Sequence, residues 1–364
     1  MFELSREHDE LRATVRKFLA RRSEEGTVRR LMETSQGYDE QTWQVMAAQL
    51  GLQGLAIPEE HGGSGFGVVE LQIVMEEMGR ALMCSPFLAT VCWAVPLLLE
   101  SGDAALAAEL LPAVAEGSVT VAVAVQDGER ATVAQRDDDG WTLDGSKRFV
   151  VDGASADRVV VLARTPEGPG LFLVDDAASL VRTAMTTLDQ TRKQAALSFE
   201  QTRARPVGDV GAGQTVLDAA MVTARTLLAA ESVGTCARML EMTVNYAKIR
   251  HQFDRPIGSF QAVKHLCTRM LIDTELATSA AGAAGAAVDA GDDAAPLLSR
   301  VAAAATSDAL ESVAAEMIEI HGGIGFTWEH PAHLYYKRAA SSARLWGSSS
   351  EHRSAIFDLA GATK

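Results

Sequence analysis

The stretch that most restricts the fold is the alanine-dense run from Leu276 to Ile320. Alanine loses no side-chain entropy on entering a helix and lets neighbouring helices approach closely, so such a run reads as the interior of a helical bundle. Gly291-Asp292-Asp293 and Pro296 interrupt it once, ending one helix and starting the next. It closes on Ile320-His321-Gly322-Gly323-Ile324-Gly325-Phe326, a loop whose glycines let backbone come close to another group. Upstream, Thr215 to Lys248 is free of proline and reads as one long helix, and another begins near Phe260.

The rest of the chain divides by periodicity. Leu11, Val15, Phe18 and Leu19 recur at helical spacing, and Leu71, Val74, Met75, Met78 and Leu82 do so again. Between them, the helix breakers of Ile57-Pro58-Glu59-Glu60-His61-Gly62-Gly63-Ser64-Gly65 require a loop. From about 118 to 205 the pattern becomes that of short strands. Val119–Val125, Arg158–Ala163 and Leu171–Val174 are β-rich runs, and a turn is expected within Trp141–Lys147. Pro206–Gly213 is a glycine-rich linker. The expected fold is α+β and multidomain: an N-terminal α-helical domain (1–116), a middle β-barrel or sandwich (117–207) and a C-terminal four-helix-type bundle (208–364).

Composition narrows the function. Lys and Arg total 33 against 48 Asp and Glu, a formal charge of -15, which leaves no cationic excess for neutralising phosphate and argues against nucleic acid. No apolar run approaches the roughly 20 residues of a membrane span, and Met1-Phe2-Glu3-Leu4-Ser5-Arg6 opens no signal sequence, so a cytoplasmic location is expected. Cys84, Cys92, Cys236 and Cys267 lack metal or redox spacing and read as buried thiols; no metal site is expected.

Several segments resemble the acyl-CoA dehydrogenase family across essentially the whole chain. Ile57–Gly63 is similar to the family's N-terminal loop and Glu76-Glu77-Met78-Gly79-Arg80 to the helix after it. The most specific match is Tyr246-Ala247-Lys248-Ile249-Arg250-His251-Gln252-Phe253-Asp254-Arg255-Pro256-Ile257-Gly258, continuing to Phe260-Gln261; the Gly-Gly loop is the second. The resemblance implies FAD as cofactor, an acyl-CoA thioester as substrate and an electron-transfer flavoprotein as acceptor. It implies that Arg250 reaches the pyrophosphate of a neighbouring subunit's FAD, since a planar guanidinium holds phosphate through paired charged hydrogen bonds. Gln252, Phe253, Gln261, Glu319, Gly322 and Gly323 are expected at the same cofactor, and Arg225 near the thioester.

The departures concern the chemistry. α,β-Dehydrogenation in the family needs a carboxylate to take the α-proton while the flavin accepts hydride from the β-carbon. Counted without gaps from Gly322, Trp346 stands where the family's usual glutamate falls, and an indole has no proton-accepting group at neutral pH. The alternative base position, on the long helix just before an arginine, holds Ala224, and the residue before Arg250 is Ile249. Glu231, Glu241 and Glu351 are the remaining carboxylates that could act, Glu351 reading more naturally as a helix-start residue. In the β-domain, Phe149-Val150-Val151-Asp152 replaces a Trp-Ile-Thr-Asn-like run, keeping an aromatic face but losing the hydroxyl donor at Val151. Gln126-Asp127-Gly128-Glu129-Arg130 replaces a glycine- and serine-bearing loop.

These losses resemble the base-lacking subunit of actinobacterial α2β2 acyl-CoA dehydrogenases of steroid and lipid catabolism. In such heterotetramers a homologous subunit carries the glutamate and this one completes the FAD site. Two other readings stay open: a self-sufficient homotetramer with a displaced base, and a flavin-free acyl-CoA-binding or structural protein.

Overall fold

The structure is a computed structural model and describes residues Ser5–Gly361. The N-terminal helices are α1 (Arg6–Arg22), α2 (Glu25–Glu33), α3 (Glu40–Leu50), α4 (Val68–Arg80), the short α5 (Phe87–Ala89), α6 (Val95–Glu100) and α7 (Ala104–Ala115). Seven strands follow: β1 (Val121–Ala124), β2 (Val133–Asp137), β3 (Gly140–Val151), β4 (Arg158–Thr165), β5 (Gly168–Val174), β6 (Val181–Ala184) and β7 (Gln194–Pro206). The long α8 (Gly213–Ile249) leads into a hairpin of β8 (His251–Gln252) and β9 (Arg255–Pro256). Then come α9 (Gln261–Asp289), α10 (Ala295–His321), α11 (Ala332–Ser342) and α12 (Ser349–Leu359). The expected order of helices, sheet and helical bundle is the order observed.

Two compact units form. One takes Arg29–Gly67 and Cys84–Ala224; the other takes the chain up to Val28, Val68–Met83 and the chain from Arg225 onward.

The first unit is built on the sheet. β4 pairs with β5, β5 with β7, β7 with β3, β3 with β2 and β2 with β4, closing a ring, with β1 added on β4 and β6 on β7. Closure pairs both sides of the ring strands and leaves only the short β1 and β6 with an open side. Val159, Val161, Phe172, Leu197 and Phe199 fill its centre. The turn expected within Trp141–Lys147 is absent: β3 runs straight through, and Asp144-Gly145 forms a bulge in its pairing with β7. Gly145 has φ +135°, and a Cβ there would lie 2.5 Å from the Ala131 carbonyl oxygen, so the glycine serves a bulge and not a reversal. A second irregularity, between Lys147 and Val150, breaks the strand's alternation. It turns Phe149 outward at φ +56° while Val150 and Val151 are both buried.

The second unit is a helical bundle. α9 buries Met270, Thr274, Ala277, Ala281 and Ala284, a narrow seam at alternating three- and four-residue spacing, against α10. The Asp289 carboxylate accepts from the backbone N–H of Val68 and Val69 at 2.5 and 3.0 Å, capping α4 in place of an N-cap side chain of its own. α4 and α8 cross at reciprocal glycines. A Cβ on Gly79 would run into the Glu231 carbonyl, and one on Gly234 into the Glu76 carbonyl.

Candidate cofactor edge and the Trp346 turn

The residues expected to meet a cofactor lie in the hairpin between α8 and α9, at the start of α9 and at the end of α10. Arg250, Gln252, Phe253, Gln261, Glu319, Gly322 and Gly323 are all exposed. The β8–β9 hairpin turns at Phe253 and Asp254, both at positive φ (53° and 61°), the pattern of a two-residue turn that normally employs Asn-Gly. A phenylalanine that is 87% exposed in this conformation costs both strain and hydration, and a surface that retains both is suited to being covered. The backbone of Arg250 is fixed on each side, its N–H donating to Tyr246 and its carbonyl accepting from Ile257 at 2.9 and 2.8 Å.

The glycine loop belongs to the same edge. The Tyr246 ring stacks on His321 with centroids 4.5 Å apart and planes 21° apart, and the Tyr246 hydroxyl donates to the His321 carbonyl at 3.5 Å. A Cβ at Gly322 or Gly323 would meet no atom of this chain within 4 Å, so the loop backbone lies bare. The exposed Arg250 guanidinium at this end of the bundle is a group suited to the pyrophosphate of a dinucleotide, whereas the Gly322 N–H is given to the Glu319 and Ile318 carbonyls and the Gln252 amide to the His251 carbonyl. On this edge FAD fits.

The face of β3 does not fit a flavin in the way the resemblance implies. The guanidinium of Arg148 lies 4.2 Å from the centre of the Phe149 ring, covering its aromatic surface. Val151 is buried and offers no donor. Asp127, in the replaced loop, accepts from Lys147 Nζ at 2.7 Å and from the Thr132 N–H at 3.1 Å. Those bonds hold its carboxyl below its usual range even against the opposing effect of burial.

Arg225 and the turn bearing Trp346 do converge. Arg225 and Leu345 line one small cavity with Ser232, Thr306, Ser307, Ser342 and His352, of about 10 Å³, room for roughly one water. Trp346 sits at φ +65°, and Gly347 at φ +125° packs against the buried His352 ring. Arg300 donates to His352 Nδ1 at 3.1 Å. Burial and the charges of Arg300 and Arg225 hold the imidazole neutral, its pKa brought down to about 4.

All three remaining carboxylates have other partners. Glu231 is buried and ion-paired at 3.0 Å with Arg338, itself among the largest fully buried side chains. Glu241 accepts from Arg80 at 2.6 Å and Arg238 at 3.1 Å, which keep it ionised below its ordinary range despite desolvation. Glu351 forms a capping box with Ser348 at the start of α12. Ala224 is buried, without a titratable group.

Sequence reasoning missed His321, His330, His352, Arg300 and Arg338. Their only sequence signal is placement beside the glycine loop or near the Trp346 turn, since pairing across helices leaves no local pattern. Among the described residues no group of three or more His, Cys, Asp or Glu could hold a metal. No helix there is long and apolar enough to cross a membrane.

Comparison with known proteins agrees with this architecture. Residues 5–118 match the acyl-CoA dehydrogenase N-terminal domain and residues 211–358 the acyl-CoA dehydrogenase C-terminal domain. The chain belongs to the acyl-CoA dehydrogenase family of oxidoreductases. It is 36% identical to acyl-CoA dehydrogenase IpdE2 of Mycobacterium tuberculosis over 346 residues, 95% of this chain and 94% of the relative. A solved steroid acyl-CoA dehydrogenase, Tcur3481-Tcur3483, superposes with TM-score 0.89 at 31% identity, covering 98% and 99% of the two chains. The ChsE4-ChsE5 complex from Mycobacterium tuberculosis gives TM-score 0.91 at 28% identity, covering 99% of each.

Proposed function

We propose that this chain is the catalytically silent subunit of a heteromeric, flavin-dependent acyl-CoA dehydrogenase. A homologous subunit supplies the glutamate base, and this chain contributes the Arg250 edge to the FAD that subunit holds. One observation carries the reading: Glu231, Glu241 and Glu351 are each committed to a structural partner, and by count along the sequence Trp346 falls where the family's glutamate is expected. The poor fit of the β3 face to a flavin and the good fit of the α8–α10 edge to a dinucleotide support it. So does the likeness to the ChsE4-ChsE5 complex and to a steroid acyl-CoA dehydrogenase. Bound FAD supplies the hydride acceptor. This chain's part is to hold the pyrophosphate through Arg250, with Gln252, Phe253, Gln261, Glu319 and the exposed Gly322–Gly323 loop flanking it. The substrate is an acyl-CoA thioester of steroid catabolism, the acceptor an electron-transfer flavoprotein, the assembly α2β2 and the location cytoplasmic.

The test is purification alone and with a homologous subunit that carries the base. The lone chain should be colourless, and the pair yellow and active. Arg250→Ala in the pair should weaken FAD by the worth of a charged hydrogen bond, about 1.5–3 kcal/mol, and strip it during gel filtration. A yellow lone chain that is reduced by acyl-CoA, or full FAD content in Arg250→Ala, refutes the proposal.

A further inference from the structure

The end of α10 carries a three-ring cluster that none of the preceding roles uses. His321 is buried between Tyr246 of α8, 4.5 Å away, and His330 of the following loop, also 4.5 Å away with planes at 45°. Tyr246 and His330 are 6.4 Å apart, so the histidine is the middle ring. Its Nδ1–H donates to the Met317 carbonyl at 2.8 Å, which fixes the tautomer and leaves the lone pair on Nε2. That nitrogen is buried and has no hydrogen-bond partner. His330 accepts from the Ala332 N–H through Nδ1 at 3.2 Å. Gly325 packs on the His321 Cβ, and a methyl there would lie 3.2 Å from it.

Two members of the stack, Tyr246 and the central His321, each lead to one half of the cofactor edge. Tyr246 lies one helical turn before Arg250 and accepts its N–H. His321 is the last residue of α10, immediately before Gly322. We infer that His321 is a positioning residue: as a neutral ring clamped between Tyr246 and His330, it registers the Arg250 hairpin against the Gly322–Gly323 backbone, and a proton on it releases the two. The inference rests on the cofactor-edge reading and adds acid control of that edge.

The proton's effect follows from the surroundings. A proton on Nε2 would bury an N–H without an acceptor and place a charge beside a second imidazole. The groups packed on the ring are Tyr246 from α8, the Met317 carbonyl on its own helix and His330 from the loop. Glu319 and Glu329, the nearest carboxylates in sequence, are exposed. Burial and His330 accordingly hold the His321 pKa below its ordinary value despite the Met317 bond. With the folded-state pKa depressed, the clamp is fully present above the unfolded value and is lost as pH falls through the folded one.

Hydrogen exchange followed by mass spectrometry on the full chain, with melting recorded in parallel, tests this without any cofactor. In the wild type, protection of residues 244–258 and 318–330, corrected for intrinsic rates, should fall together by about tenfold between pH 7.5 and 5, with segments remote from both this stack and His352 unchanged. His321→Phe, which keeps a ring in the stack but cannot titrate, should abolish that pH dependence. His321→Ala should leave both segments poorly protected at either pH and, in the paired complex, weaken FAD about tenfold. Protection that ignores pH, or two segments that respond independently, overturns the inference, as does loss only alongside global unfolding. If the segments behave as stated while Arg250→Ala keeps its FAD, the clamp stands and the cofactor reading falls. If Arg250→Ala loses FAD but His321→Ala disturbs neither segment, the clamp falls alone.

Discussion

Replacing Glu231 with glutamine separates a structural carboxylate from a catalytic one. Glu231 and Arg338 form an ion pair at 3.0 Å with side chains 6% and 2% exposed. The substitution keeps shape and a hydrogen-bonding oxygen but leaves the Arg338 charge without its counter-ion, and breaking a buried pair from one side costs about 3–5 kcal/mol. For 364 residues unfolding together, the unfolding entropy is about 0.8 kcal/mol per kelvin, so the melting temperature should drop by about 4–7 °C. Differential scanning fluorimetry and urea titration read this directly. Arg338→Met combined with Glu231→Gln should recover much of the loss, because neither position then buries a charge. In the paired complex, turnover per bound FAD should stay at the wild-type level. An unchanged melting temperature with abolished turnover would refute the reasoning and make Glu231 the missing base.

Gly234→Ala should destabilise by about 2 kcal/mol, since overpacking a tight contact costs about 1–3 kcal/mol and the atom it meets is the backbone carbonyl of Glu76; a urea midpoint equal to wild type contradicts the crossing. His352 has a folded pKa of about 4 against an ordinary 6.5. It therefore contributes stability that is complete above pH 6.5 and is lost as pH falls toward 4, at most about 3 kcal/mol in all. His352→Gln should flatten that limb of a stability–pH profile, and a profile of unaltered slope counts against the buried neutral ring. Trp346→Glu alone should give no acyl-CoA turnover with an artificial electron acceptor, because Val151 and the Asp127 loop remain unsuited to a flavin. Measurable reduction of the acceptor would sink the account.

Much of this protein could be read from the chain. Helical periodicity in α1 and α4, the proline-free α8 and the break at Gly291–Pro296 are local signals. Each is set by side-chain entropy, backbone sterics and spacing within a single element. The family membership was equally legible in the Arg250 segment and the glycine loop, because both are runs of particular residue types in particular order. The indole at 346 was visible for the same reason.

Other features depended on residues distant in sequence. Asp144-Gly145 is a turn signal by composition, yet pairing with β7 on one side and β2 on the other makes continuing the strand more favourable than reversing it. The joining of α1 and α4 to the bundle formed by the chain after Arg225 leaves no mark in either segment alone. It rests on matched glycines at 79 and 234 and on the Arg12 and Arg16 pairs with Glu76 and Glu77. The commitment of Glu231 to Arg338, of Arg300 to His352 and of Tyr246 to His321 was likewise decided in three dimensions. Sequence specifies which groups are present and which elements they ride on. Whether a carboxylate is a base or a counter-ion depends on which charge the packed helices bring against it.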